Sequence, residues 1–308
     1  MWSQWGDAVK RLGGILVATV TPMGRNQAPD LEAVRELVEF FVDAGVHGVY
    51  VLASQGEFFS LDDQERRRVA RAAVRASRGR VPVVANTGTV CTAGTIRLSR
   101  EAEGEGVDAL GLITPYYLRP TAQEMFQHYR AVLRSVRCPV YAYNNPARAG
   151  GVGLDATTVT RLAGESDRFA GIFDATGNLR YARRYTKLQG GRFGYFPAGQ
   201  LGFPAAIRLG ARGAVLATAN IAPREFVQMY EASRRNDAAE VERLRELLEP
   251  LDSLFRTGPF PGTIKACLEV MGLRAGPPRQ PALPVPPKIR AKAGRVLRRL
   301  KAWRNSHR

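Results

Sequence analysis

Short apolar runs alternate with amphipathic segments across residues 14–220, the pattern of repeated βα units. Eight runs read as strands: ILVATVTP, GVYVLAS, VPVVANTG, ALGLITPYY, PVYAYNNP, FAGIFDATG, RFGYFPAG and GAVLATAN. They are rich in Val, Ile and Tyr. Their nearly continuous apolarity marks strands covered on both faces of a parallel sheet, and eight units predict a closed (β/α)8 TIM barrel.

The intervening segments carry helix signals. Asp30 precedes Leu31, Val34, Leu37, Val38 and Phe41 at helical spacing, and Gly45 stops the run. Ser60 and Thr121 are candidate caps for two more helices; Thr121 with Glu124 fits a capping box, in which each side chain satisfies the other's free backbone donor. Pro223 suits the first turn of the helix after the eighth strand. Beyond it, AAEVERLRELLEPLDSLF and GTIKACLEVMG read as helices, and GPPRQPALPVPPK links them to a last, basic one. The expected organisation is an N-terminal extension over 1–12, a barrel over 13–223, and a C-terminal helical appendage over 224–308.

A hydrophobic share of 45% and a charged share of 24% are ordinary for a globular protein. No apolar run reaches the roughly 20 residues that cross a bilayer, and the first residues lack an apolar core of signal-peptide length, so a cytoplasmic location without membrane contact is expected. Cys91, Cys138 and Cys267 lack CxxC or Cys/His spacing and read as buried reduced thiols, with no metal site. The net charge of +17 is concentrated at one end: residues 288–308 carry nine Lys and Arg and no carboxylate. With Val296, Leu297 and Leu300 facing inward, these cations form a solvated face. No nucleic-acid reading motif accompanies them, and nucleic acid is not expected as a partner.

Glycine, proline and hydroxyl residues gather at the carboxyl ends of the strands. They include Thr21-Pro22, Ser54-Gln55-Gly56-Glu57, Thr114-Pro115-Tyr116-Tyr117, Asn144-Asn145-Pro146 and Asp174-Ala175-Thr176-Gly177-Asn178. In a βα barrel those ends converge on one mouth, where such folds keep their chemistry. Ser54 can orient the phenol of Tyr143 for proton transfer, although a lining tyrosine bonded to backbone or water is the plainer reading of the residue alone. Glu57 reads as a structural carboxylate that accepts loop amides.

Five motifs in order, VTPM at 20–23, TPYYxRP at 114–120, YNxPxRxG at 143–150, ATGN at 175–178 and TANIAP at 218–223, resemble the dihydrodipicolinate synthase and N-acetylneuraminate lyase family of barrel lyases. The resemblance implies an imine between pyruvate and a lysine on the sixth strand, with no cofactor. It implies that Tyr143 shuttles protons with help from Ser54 and from Tyr117, lent across a dimer contact in a homo-oligomer, dimer or tetramer. It assigns Arg148 to a second substrate's carboxylate, which points to the synthase branch, and Val215 joins Gln55, Phe173 and Asp174 as a candidate for the pocket wall. A small carboxylate or 2-oxo acid is the expected partner.

The likeness breaks at residue 173. Where the family carries a GIKEATGN-like run, this chain has Gly171-Ile172-Phe173-Asp174-Ala175-Thr176-Gly177-Asn178, so Phe173 stands in place of the lysine and Asp174 in place of the glutamate. A benzyl group has no lone pair with which to attack a carbonyl. The other lysines, Lys10, Lys187, Lys265, Lys288, Lys292 and Lys301, end no predicted strand, and neither do His47, His128 and His307. A GTTGE-like run becomes Ala53-Ser54-Gln55-Gly56-Glu57, in which the longer Gln55 crowds the keto acid's place, and 197–200 replaces a more polar run. Two readings follow: a barrel with altered, non-imine chemistry on a small acid, or an inactive relative that binds such an acid or assembles with a lysine-bearing partner.

Overall fold

The computed structural model describes residues 12–199 and 201–306. Most of the expected N-terminal extension, Lys10, Gln200, His307 and Arg308 lie outside them. The barrel strands are β1 (Gly14–Ala18), β2 (Gly48–Val51), β3 (Val83–Asn86), β4 (Ala109–Ile113), β5 (Val140–Asn144), β6 (Phe169–Asp174), β7 (Gly194–Pro197) and β8 (Gly213–Leu216). Each of the seven ladders is parallel, in the order β7-β6-β5-β4-β3-β2-β1-β8. The Arg212 amide closes the circle on the Tyr195 carbonyl at 3.1 Å, between the edges of β7 and β8. Every strand residue is buried, as the unbroken apolarity of the runs requires.

The outer helices are α1 (Leu31–Asp43), α2 (Asp63–Ser77), α3 (Thr92–Gly104), α4 (Ala122–Leu133), α5 (Ala156–Glu165), α6 (Leu179–Tyr185), α7 (Phe203–Arg208) and α8 (Pro223–Arg234). Asp30 caps α1 through the Ala33 amide, and Thr121 and Glu124 form the expected capping box on α4. Ser60 does not cap α2. Asp62 does, in a capping box with Glu65, because a carboxylate two residues nearer the helix reaches the free amide that the hydroxyl cannot; the Ser60 hydroxyl instead bonds the Glu57 carbonyl at 2.9 Å. Three further helices follow among the described residues: α9 (Ala238–Thr257), α10 (Gly262–Val270) and α11 (Pro287–Ser306). Leu300 of α11 is buried and Val296 and Leu297 are partly buried, while Arg304 makes a two-pronged contact with the buried Glu225 of α8. Among the described residues no helix is long and apolar enough to cross a membrane. Cys138 and Cys267 are buried, but Cys91 is exposed, because it takes the N-cap position of α3 and its sulfur receives the Gly94 amide.

Rings fill the barrel. Phe173 lies flat on Tyr141, with centroids 5.1 Å apart and planes 4° from parallel, and touches Tyr50 at 5.0 Å and Phe196 at 5.6 Å. Such volume needs small residues opposite it. A Cβ on Gly171 would lie 2.3 Å from the Gly194 carbonyl and 2.6 Å from the Tyr141 ring, and one on Gly111 would lie 2.4 Å from the Tyr50 hydroxyl. The strands alternate large and absent side chains to keep the interior dense. Gly171→Ala is expected to destabilise the fold by about 1–3 kcal/mol, the cost of overpacking a dense core. Urea unfolding would report this as a lower midpoint with an unchanged slope.

Candidate functional site

The strand-end motifs meet at one mouth, and most of their polar side chains brace it. Asn220 accepts the Val20 amide and donates to the carbonyls of Ala18 and Ala217, joining the ends of β8 and β1. Asn144 accepts the Leu154 amide and donates to Asp174 at 2.9 Å. Thr21 and Thr114 bond the carbonyls of Gly56 and Val152. These contacts hold loops that the strand ladders do not reach.

Tyr143 and Ser54 come together as the sequence implied. Their hydroxyls are 3.3 Å apart, and the Asn145 amide donates to the Tyr143 oxygen at 2.7 Å. A phenol has one proton, so with one lone pair taken by Asn145 its own O–H remains to be directed to Ser54 or to a ligand. Phe173 is the register partner of Tyr143 on β6, and Asp174 pairs in the same way with Asn144. The Phe173 ring is sealed from solvent, below the open end of the mouth.

Asp174 is also enclosed. Besides Asn144 it accepts the Thr176 hydroxyl at 2.8 Å and the Tyr195 hydroxyl at 3.1 Å, linking β5, β6 and β7. Burial raises its pKa, and the three donors act against that rise. Val215 is buried on β8. Tyr117 is not enclosed: it is 93% exposed, on a backbone with φ of 78°, beside the exposed Leu118.

The second half of the mouth comes from the appendage, which no strand-end motif announced. The turn over 258–262, between α9 and α10, crosses to the barrel. The Phe260 ring lies 3.6 Å from the Arg148 guanidinium carbon, and the Pro261 carbonyl accepts the Gln55 side-chain amide at 3.0 Å. Among the described residues the Arg148 guanidinium has no ion pair or hydrogen bond; partial burial lowers its pKa while Tyr143 opposes the shift. Apolar Phe260-Pro261 between two helices was the only local hint of this turn in the sequence.

Below the turn, Lys265 of α10 meets Glu57, with Nζ and Oε1 2.5 Å apart and both side chains 1% exposed. Nζ also donates to the Pro277 carbonyl at 2.9 Å, and Glu57 accepts the Arg279 backbone amide at 2.8 Å. Glu57 is therefore a structural carboxylate, but the amide it receives comes from the appendage and not from its own loop. Burial lowers the Lys265 pKa and Glu57 pulls it back up. The other described lysines sit elsewhere: Lys187 is exposed just past α6, and Lys288, Lys292 and Lys301 are on α11.

The match to the dihydrodipicolinate synthetase family model runs over residues 11–300. The chain belongs to that family. It is 36% identical to the 4-hydroxy-tetrahydrodipicolinate synthase of Thioalkalivibrio sulfidiphilus, over 94% of each chain, and 35% identical to that of Rhodospirillum centenum, over 88% of this chain and 92% of the relative. Among solved structures it resembles dihydrodipicolinate synthase from Aquifex aeolicus (TM-score 0.90, 26% identity, 94% of this chain and 98% of that one). It also resembles the chloride-inhibited enzyme from Acinetobacter baumannii complexed with pyruvate (TM-score 0.89, 30% identity, 94% and 99%). Barrel and appendage are thus both part of the shared family architecture.

Removing one member of the buried pair leaves the other uncompensated. Lys265→Met is expected to cost about 3–5 kcal/mol at neutral pH. The double variant Glu57→Gln/Lys265→Met is expected to recover much of the loss, as a double-mutant cycle of chemical unfolding would measure.

Proposed function

We propose that this family member binds a small carboxylic acid, a 2-oxo acid or a related carboxylate, at the barrel mouth and works on it by proton transfer without a covalent imine. The observation that carries the reading is the register pair of Tyr143 and Phe173. At the position from which the family resemblance draws its amine, a ring packs into the aromatic filling of the barrel. Imine formation needs a partly desolvated amine within bonding distance of a keto carbon. The buried lysine beside the mouth, Lys265, is engaged by Glu57 and the Pro277 carbonyl.

The remaining parts suit acid–base work on an anion. Arg148 offers a fork of donors to a carboxylate, and Tyr143, held by Asn145 and near Ser54, exchanges a proton with the bound molecule. Gln55 and Val215 wall the site, while Asp174 keeps the ends of β5, β6 and β7 in place. A second reading, an inactive subunit that binds a small acid and lends a tyrosine to a partner chain, is favoured by the exposed Tyr117 on its left-handed backbone.

Borohydride trapping tests the absence of an imine. The protein is incubated with pyruvate and a panel of longer 2-oxo acids, reduced, and weighed intact. No mass increase is expected with any of them; a stable adduct at any lysine would end the non-imine reading.

A further inference from the structure

We infer that the 258–262 turn completes the binding site, and that the site so completed selects a hydroxy or amino acid over the matching 2-oxo acid. The inference rests on the reading that a small carboxylic acid occupies the mouth.

Six residues form an open ring. Arg148 stacks on Phe260, Phe260 adjoins Pro261, Pro261 receives the Gln55 amide, Gln55 adjoins Ser54, and Ser54 meets Tyr143, which lies on the same strand-end segment as Arg148. The ring draws on two strand ends and on a turn more than 200 residues away in the chain from Gln55.

Each half of the ring has a distinct recognition chemistry. A guanidinium lying on an aromatic face keeps its in-plane N–H groups free, and the stack restrains the long side chain in one orientation. That is a receptor for a carboxylate. On the other side, a carbonyl can only accept, so the bond from Gln55 Nε2 to Pro261 sets which way the amide faces. Gln55 Oε1 is then left buried and, among the described residues, without a donor. A buried amide oxygen calls for an O–H or N–H. A keto oxygen and a carboxylate oxygen are acceptors like itself, whereas a hydroxyl or an ammonium group supplies the missing proton. A ligand with a carboxylate at one end and a donor beside it satisfies both halves.

The full-length protein would be titrated calorimetrically with matched sets: pyruvate, lactate and alanine; oxaloacetate, malate and aspartate; 2-oxoglutarate, 2-hydroxyglutarate and glutamate, with both enantiomers where they exist. In at least one set the hydroxy or amino acid is expected to bind about tenfold or more tightly than the oxo acid, the scale of one hydrogen bond gained against one acceptor left unmet. Gln55→Met keeps the length but removes the acceptor, and should bring that ratio near one. Phe260→Ala should weaken both members of the set alike and leave the ratio intact; Phe260→Tyr, which keeps the ring, should restore affinity. Equal or tighter binding of the oxo acid in every set would overturn this inference alone and leave the carboxylate reading standing. Failure of every acid to bind the wild-type protein would remove both.

Discussion

The carboxylate of Glu57 ties the barrel to its appendage. It sits at the end of the β2 loop on a left-handed backbone and receives Lys265 on one oxygen and the Arg279 amide on the other. With almost no solvent on either side, the pair holds only while each charge has the other, so α10 and the segment after it are fastened over β2. Arg279 strengthens the same join: its guanidinium grips Glu65 on α2 with two bonds of 2.7 Å and reaches the carbonyls of Ser60 and Gln27. From this anchorage the 258–262 turn hangs across the mouth and brings Phe260 to Arg148. The same contact engages the buried lysine beside the site.

The interior imposes the other constraint. With rings from β2, β5, β6 and β7 packed against one another, the barrel is filled up to the level of Tyr143, and the glycines on β4, β6 and β7 leave room for them. Phe173 belongs to this packing by geometry and by chemistry. An ammonium there would lie among aromatic faces with little water to solvate it. The polar chemistry is displaced outward, to a shell of hydroxyls, amides and one guanidinium between the strand ends and the turn.

That shell mixes donors and acceptors unevenly. Among the described residues, Arg148 offers donors without an acceptor, and Gln55 an acceptor without a donor. A zwitterion or hydroxy acid carries both the acceptor and the donor that these two groups call for.

How much of this was legible in the chain divides along a physical line. Unbroken apolar runs and helical spacing depend on neighbours a few residues apart, so the eight strands, the Asp30 and Thr121 caps, and the clustering of polar residues at one mouth could be read directly. The proximity of Tyr143 and Ser54 was legible too, because barrel topology places all strand ends on one face. Ser60 was misread as a cap because Asp62, two residues on, competes for the same amides, and Cys91 was misread as buried because a cap position faces solvent. Phe260, Lys265 and Arg279 joined the mouth only in three dimensions. Their partners lie between 112 and 252 residues away, and no local periodicity encodes a contact at that range. The sequence by itself determined the cylinder, the order of its staves and the aromatic ring at position 173. Only tertiary packing decided which distant turn meets Gln55 and Arg148 at the mouth, because those contacts join residues far apart in the chain.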